Sequence, residues 1–225
     1  MKKFLQDKTG ARIFSLLFAP LYIIIIIAII GLVPDVEDYV IAEREYEKLR
    51  KYTPDDRRLI TINRDYAGWI RINGTNINYP IVQTIDNTKY QNTTFRGVEN
   101  TAGAIFLDSR NIEQFEEPFV IIHGNNPGTE SMFGILGDYS KSDFMRQHNF
   151  VTIYTIDGEM LIFQVFAAFA TTLDNQLFTM FDAEEDYIIS FFESTGAPAG
   201  STHFIVLSAP TSDGSNERTV VFAAR

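Results

Sequence analysis

Gly68-Trp69-Ile70-Arg71-Ile72-Asn73-Gly74-Thr75-Asn76-Ile77-Asn78-Tyr79-Pro80-Ile81-Val82-Gln83, residues 68–83, reads as two short β runs, 69–72 and 77–82, separated by turn residues. The same texture runs on to the C-terminus. Residues 104–107, 119–123, 150–156, 159–168, 203–208 and 219–224 are further apolar or β-branched runs bounded by Gly, Asn, Asp and Pro. Eight such strands predict a mainly β fold, a closed or nearly closed barrel. Asp157-Gly158 between the fifth and sixth runs predicts an antiparallel hairpin with a type I′ turn, since both residues tolerate positive φ. Between the sixth and seventh runs, Asp182-Ala183-Glu184-Glu185 has a capping-box-like spacing ahead of Tyr187, Ile188, Phe191 and Phe192. That pattern predicts an amphipathic helix on the barrel wall.

Upstream of residue 64 the character changes. Thr53-Pro54-Asp55-Asp56 offers a cap followed by proline at the first helical position, which predicts a short helix over 54–63. Residues 35–52 are charged, with Val40, Ile41, Tyr46 and Leu49 spaced to form one stripe. They read as a stalk helix against the domain or as a solvated spacer. Before them, residues 13–33 run for 21 positions without a charge, long enough for a helix to cross a bilayer. Lys2, Lys3, Lys8 and Arg12 precede this run and Asp35, Glu37 and Asp38 follow it, which predicts a cytoplasmic N-terminus and an external domain. A cleaved signal peptide is the alternative; the run exceeds a usual h-region and lacks an A-x-A site. The divisions are a cytoplasmic tail 1–12, a transmembrane helix 13–33, stalk and N-terminal helices 34–63, and a barrel 64–225.

Composition excludes several kinds of chemistry. The 225 residues contain no cysteine, so there is no thiol nucleophile, no disulfide and no thiolate metal site. His123, His148 and His203 have no metal-ligand spacing, and neither a metal nor a cofactor is expected. The chain carries a net charge of −10 and its N-terminal twelve residues are basic, so the remainder is strongly acidic. Nucleic acid is not an expected partner. Trp69 is expected to anchor the first strand, and Asn73-Gly74-Thr75 and Asn92-Thr93-Thr94 are chance matches to a glycosylation triplet.

Residues 68–83, together with Asp86-Asn87 and Tyr90, resemble the opening of class B sortases. Residues 102–111, Ser131-Met132-Phe133, Leu207-Ser208 and Arg218 follow in the family's order, so the resemblance spans roughly residues 35–225. It implies a sortase-type eight-stranded β-barrel on the surface of a Gram-positive cell. Sortases are transpeptidases that cut a sorting signal, hold it as a thioester, and pass it to a cell-wall or pilus amine. Cysteine supplies the nucleophile, histidine protonates the leaving amine, and arginine stabilises the oxyanion or holds the substrate.

The resemblance places the family histidine on Asn125, in His123-Gly124-Asn125-Asn126, and the family cysteine on Pro210, in Leu207-Ser208-Ala209-Pro210. Arg218 matches the family arginine. Asparagine is neither acid nor base near neutral pH, and proline has no reactive side chain and no backbone N–H. One reading is therefore a pseudo-sortase whose groove, including Arg218, Asn125, Ser208 and Thr211, binds a sorting-signal-like peptide, a cell-wall or pilin protein, or an active sortase. A second keeps catalysis, with His123 as base for a hydroxyl such as Ser208. A third is a structural cell-envelope protein with a filled groove. A hydroxyl close to His123 favours the second; an acidic partner on Arg218 favours the third.

Overall fold

The computed structural model describes residues 18, 20–22, 37–212 and 215–225. The chain divides into two compact units, residues 1–40 and 41–225. Of the first unit, residues 18, 20–22 and 37–40 are described, and all are helical. Most of the expected membrane span, 13–33, lies outside the described residues; among those described, no helix is long and apolar enough to cross a membrane.

The second unit is built from the eight predicted runs. The strands are β1 (Tyr66–Arg71), β2 (Asn78–Val82), β3 (Ile105–Leu107), β4 (Phe119–His123), β5 (Phe150–Thr155), β6 (Met160–Thr172), β7 (Phe204–Pro210) and β8 (Glu217–Ala224). They close into a barrel in the order β1-β2-β3-β4-β7-β8-β6-β5. The β2–β3 and β4–β7 pairs are parallel, and the remaining pairs are antiparallel. Closure leaves no free sheet edge. Gly68 sits at a bulge in β1, where a Cβ would stand 2.7 Å from the Tyr154 carbonyl oxygen of β5 and 2.9 Å from the Phe115 ring. Only glycine lets β1 and β5 meet there.

Several boundaries differ from the sequence reading, each for a local reason. The β5–β6 turn is not type I′: Gly158 has φ of 85°, whereas Asp157 is outside the positive-φ region. The Gly158 amide donates to the Thr155 carbonyl and the Thr155 amide to the Glu159 carbonyl. These bonds define a three-residue loop whose last residue is left-handed. The predicted helix over 54–63 begins later, as α2 (Arg58–Ile62), because residues 53–56 close a turn and Asp56 accepts the Arg58 backbone N–H. Asp182 does not cap the wall helix either. It ends a 3₁₀ segment, Gln176–Asp182, and α4 (Glu185–Ser194) starts after Glu184 without a side-chain cap.

In the second unit the N-terminal helix α1 covers 41–49, and α3 (Ser142–Gln147) lies between β4 and β5. The buried stripe of α1 is Ala42, Tyr46 and Leu49; Val40 and Ile41, expected in that stripe, are exposed. Tyr46 Oη donates to the Gly103 carbonyl at 2.8 Å and its ring meets Tyr79 edge-on, which docks α1 on the barrel. Trp69 is buried, its indole N–H donating to Asn78 Oδ1 at 2.7 Å. His148 Nδ1 lies 2.9 Å from the Asn73 carbonyl and its ring packs on Phe144.

Side chains alternate along a strand, so β4, β7 and β8, buried on both faces, present two apolar sets. One set, Phe119, Ile121, Phe204, Val206, Val220, Phe222 and Ala224, packs with Leu177, Phe178, Met180, Ile188 and Phe192 from the β6–β7 connection. Phe192 stacks on Phe204 and meets Phe222 edge-on. The connection covers one end of this face, and the same alternation carries the face on to the next residues, His123, Ser208, Pro210 and Arg218.

Candidate functional site

Continuing each period-2 row of that apolar face by one position replaces hydrophobic residues with polar ones. After Phe119 and Ile121 comes His123; after Phe204 and Val206 come Ser208 and Pro210; after Val220, toward the start of β8, comes Arg218. Strand register then fixes them as neighbours, with His123 opposite Ser208 and Pro210 opposite Arg218. A cavity of about 460 Å³ opens at this end, lined by His123, Asn125, Pro210 and Arg218 with Asp108 and Arg110. Phe106, Leu173 and Phe178 provide apolar wall, and Asn87 and Gln91 provide amides.

The structure thus gathers Asn125, Pro210, Arg218 and His123 around one cavity, whereas Ser208 and Thr211 do not line it. Ser208 is fully buried, and its Oγ accepts from Arg218 Nε at 2.7 Å while its carbonyl accepts from Arg218 Nη2 at 3.0 Å. Thr211 Oγ1 lies 2.8 Å from Ser215 Oγ and 3.3 Å from the Glu217 carbonyl, so it organises the β7–β8 loop. Pro210 costs no ladder bond. The Ser208 carbonyl accepts from Gly124, and the Pro210 carbonyl accepts from Asn126 Nδ2 at 2.9 Å, so both turn toward β4, which has already ended beside Pro210.

Asp108 and Arg110 are the site residues that sequence reasoning missed. Asp108 is buried beside the cavity and takes bonds from Arg110 Nε at 2.8 Å and Nη2 at 2.7 Å. Its Oδ2 lies 2.9 Å from His123 Nε2. Burial opposes ionisation of Asp108, but the Arg110 and His123 hydrogen bonds outweigh it and hold the carboxyl well below the usual range. Burial pushes the His123 imidazole below its ordinary 6.5; Asp108 pulls the other way, and the Arg218 charge adds to the lowering. A neutral imidazole facing an acceptor-only carboxylate carries its proton on Nε2, which leaves Nδ1 as an acceptor. Burial brings Arg218 down to about 10, so it stays a cation near neutral pH. The signal for Asp108 was present in Asp108-Ser109-Arg110, a short acid–base pair, but nothing local tied it to His123.

Chemically, the cavity offers the Arg218 cation, a neutral imidazole and the side-chain amides of Asn87, Gln91 and Asn125. No hydrogen bond joins His123 to Ser208 among the described residues; Ser208 Oγ instead accepts from Arg218. Arg218 forms no salt bridge among them either. Among the described residues no cluster of three or more His, Asp or Glu is placed to hold a metal.

The neutral His123 sets a pH dependence. Its folded pKa is depressed, so its contribution to stability is complete above the unfolded value of 6.5 and is lost as pH falls below it. Asp108, also depressed, loses its contribution only in stronger acid, below the ordinary carboxyl value of 3.8. His203 is lowered too, by burial and then by Arg225, and adds to the histidine window. Stability from urea denaturation is expected to be flat from about pH 8 to 7 and to fall from about pH 6.5 to 5. His123→Gln should flatten part of that fall, while Arg110 keeps a decline in stronger acid by still holding the Asp108 carboxyl low. An unchanged profile in His123→Gln would show that His123 does not titrate on unfolding.

No family model matches the chain. Its sequence is 36% identical over 135 residues to sortase B of Staphylococcus aureus, an alignment covering 60% of this chain and 55% of that protein. It is 35% identical over 120 residues to sortase B of Listeria monocytogenes, covering 52% and 48%. The chain thus spans about half the length of the curated relatives it matches. Among solved structures, a Staphylococcus aureus sortase B–substrate complex superposes with a TM-score of 0.71 at 27% identity, covering 81% of this chain and 94% of that one.

Proposed function

From the premise that this chain is a homologue of the class B sortases in sequence and shares their barrel, we propose that it is a membrane-anchored pseudo-sortase of the Gram-positive cell surface. Its groove binds an extended sorting-signal-like peptide, or a cell-wall, pilin or sortase partner, without cutting it. Residues 13–33 provide the anchor, with the N-terminus inside and the barrel outside. The observation that carries the reading is an open cavity that keeps Arg218 but has Asn125 and Pro210 at the positions the family likeness assigns to its histidine and cysteine. The chain has no cysteine with which to form a thioester. Extended peptides bind such grooves through backbone hydrogen bonds and side-chain pockets.

Neither alternative gains a comparable support. A hydroxyl nucleophile needs a base in contact, and Ser208 faces Arg218 instead. A purely structural role with a filled groove sits poorly with about 460 Å³ of space and with an Arg218 that has no acidic partner among the described residues.

The test is mass spectrometry of sorting-signal peptide libraries incubated with the full chain, with binding measured in parallel. The expected result is retention of peptides without cleavage or transfer products. Arg218→Ala should weaken retention by about tenfold or more, the worth of one charge-assisted hydrogen bond. Turnover that disappears in His123→Ala would instead establish a working site built on His123.

A further inference from the structure

We infer that the groove holds the free C-terminal carboxylate of a peptide, with Arg218 receiving the carboxylate and the Asn125 side-chain carbonyl receiving the terminal residue's N–H. This rests on the peptide-recognition reading and specifies which part of a peptide the site takes.

The first support is charge. Two arginines line the cavity, and they differ in their partners. Arg110 is neutralised by two bonds to Asp108, and its Nη1 donates to the Phe178 carbonyl. Among the described residues Arg218 has only the neutral Oγ and carbonyl of Ser208. The cavity therefore presents one uncompensated cation in a chain whose net charge is −10. Burial already disfavours the charge on Arg218, so an incoming anion gains a desolvated partner. Among the described residues Nη1 of Arg218 has no hydrogen bond and no buried side-chain nitrogen lacks a partner. Nη1 is therefore exposed, on a side chain that lines the cavity.

The second support is Asn125. Its Nδ2 donates to the Gln91 carbonyl at 2.7 Å and to the Thr101 carbonyl at 3.0 Å. Two carbonyl partners fix the amide's orientation, because the flipped form would set oxygen against oxygen. Both protons are spent, so what remains for a ligand is the acceptor Oδ1. The cavity thus has a cationic donor and a neutral acceptor. An inorganic anion satisfies only the first, and an internal peptide bond has no charge for it. A C-terminal residue carries a carboxylate and an N–H on the same Cα, and Leu173, Phe178 and Pro210 give its side chain an apolar wall.

The test uses an N-acetylated tetrapeptide library made in two forms, C-terminal acid and C-terminal carboxamide, with retention on the full chain read by mass spectrometry. Acids are expected to be retained about tenfold or more over matched amides, and Arg218→Gln should abolish the difference. Equal retention of both forms overturns the carboxylate assignment and leaves peptide recognition standing. A nitrogen-detected titration of the Arg218 Nε–H resonance with N-acetylglycine and N-acetylglycinamide separates the two ideas further. A shift with the acid alone upholds the carboxylate site even if no tetrapeptide is retained, in which case the peptide reading fails. No shift with either compound overturns the inference, and the wild-type comparison does not depend on how any variant folds.

Discussion

Introducing Asn125→His together with Pro210→Cys should convert the proposed peptide binding into cleavage, with a thioester between the new thiol and the peptide trapped as a mass increase. Asn125, Pro210 and Arg218 line one cavity, and Pro210 is in register with Arg218, so a thiol at 210 and an imidazole at 125 would face the same peptide carbonyl. Pro210→Cys alone supplies a nucleophile but no acid for the leaving amine, so it should turn over slowly. The double variant should exceed it by about 10²-fold or more, the usual worth of a positioned acid–base group. Position 210 tolerates the change, because the restored backbone N–H points to the side where β4 has ended and Asn126 already bonds the local carbonyl. The cost falls at position 125, where the bonds to the Gln91 and Thr101 carbonyls are lost. Each is worth about 1 kcal/mol. A folded double variant that binds peptide yet forms no thioester would show that the groove no longer presents a carbonyl to position 210.

The barrel was legible in the sequence because its signals are local. All eight strands fall where alternation and turn residues place them, and β4 matches its predicted bounds. β6 runs four residues past its predicted end, to Thr172, because beyond a bulge at residues 165–167 it goes on pairing with β8, residues 167–172 meeting 217–222. That ladder is set by a strand about fifty residues away and leaves no mark in the local pattern. The hairpin turn failed for a different reason. Asp-Gly permits a type I′ turn, but the register Tyr154 to Met160 leaves a longer loop and needs only Gly158 left-handed.

The site was legible only where family likeness named positions. Asn125, Pro210 and Arg218 do share a cavity, but Ser208 turned out to be the buried support of Arg218 rather than an open hydroxyl. The Asp108–His123 pair lies fifteen positions apart and is made by the antiparallel β3–β4 register, in which Phe106 faces His123. No periodicity within either strand encodes that partner. His123, which the sequence offers as a base for a hydroxyl, thus becomes the neutral hydrogen-bond partner of a buried carboxylate.

Asp108→Ala is expected to be the most damaging single change to stability. Removing one partner from a buried ion pair costs about 3–5 kcal/mol when the other charge is stranded. Here the loss should sit near the lower end, about 3 kcal/mol, because the Arg110 side chain is 46% exposed and can turn its charge to water. Asp108→Asn keeps the volume and one acceptor oxygen for His123 or Arg110, so about half that loss is expected. Urea denaturation measures both, and Arg110→Ala combined with Asp108→Ala should cost less than the sum of the two single changes. If Asp108→Ala unfolds at the wild-type urea concentration, Asp108 is not a keystone of this wall. The consequence reaches the groove, because Arg110 also donates to the Phe178 carbonyl and lies 3.8 Å over the Phe181 ring. Those contacts tie residues 108–110 to the 3₁₀ segment Gln176–Asp182, whose Phe178 lines the cavity. Loss of Asp108 frees Arg110 from the position that holds this segment, so peptide retention should fall along with stability. In Asp108→Asn, where Arg110 keeps an acceptor, retention should recover in step with the stability that returns.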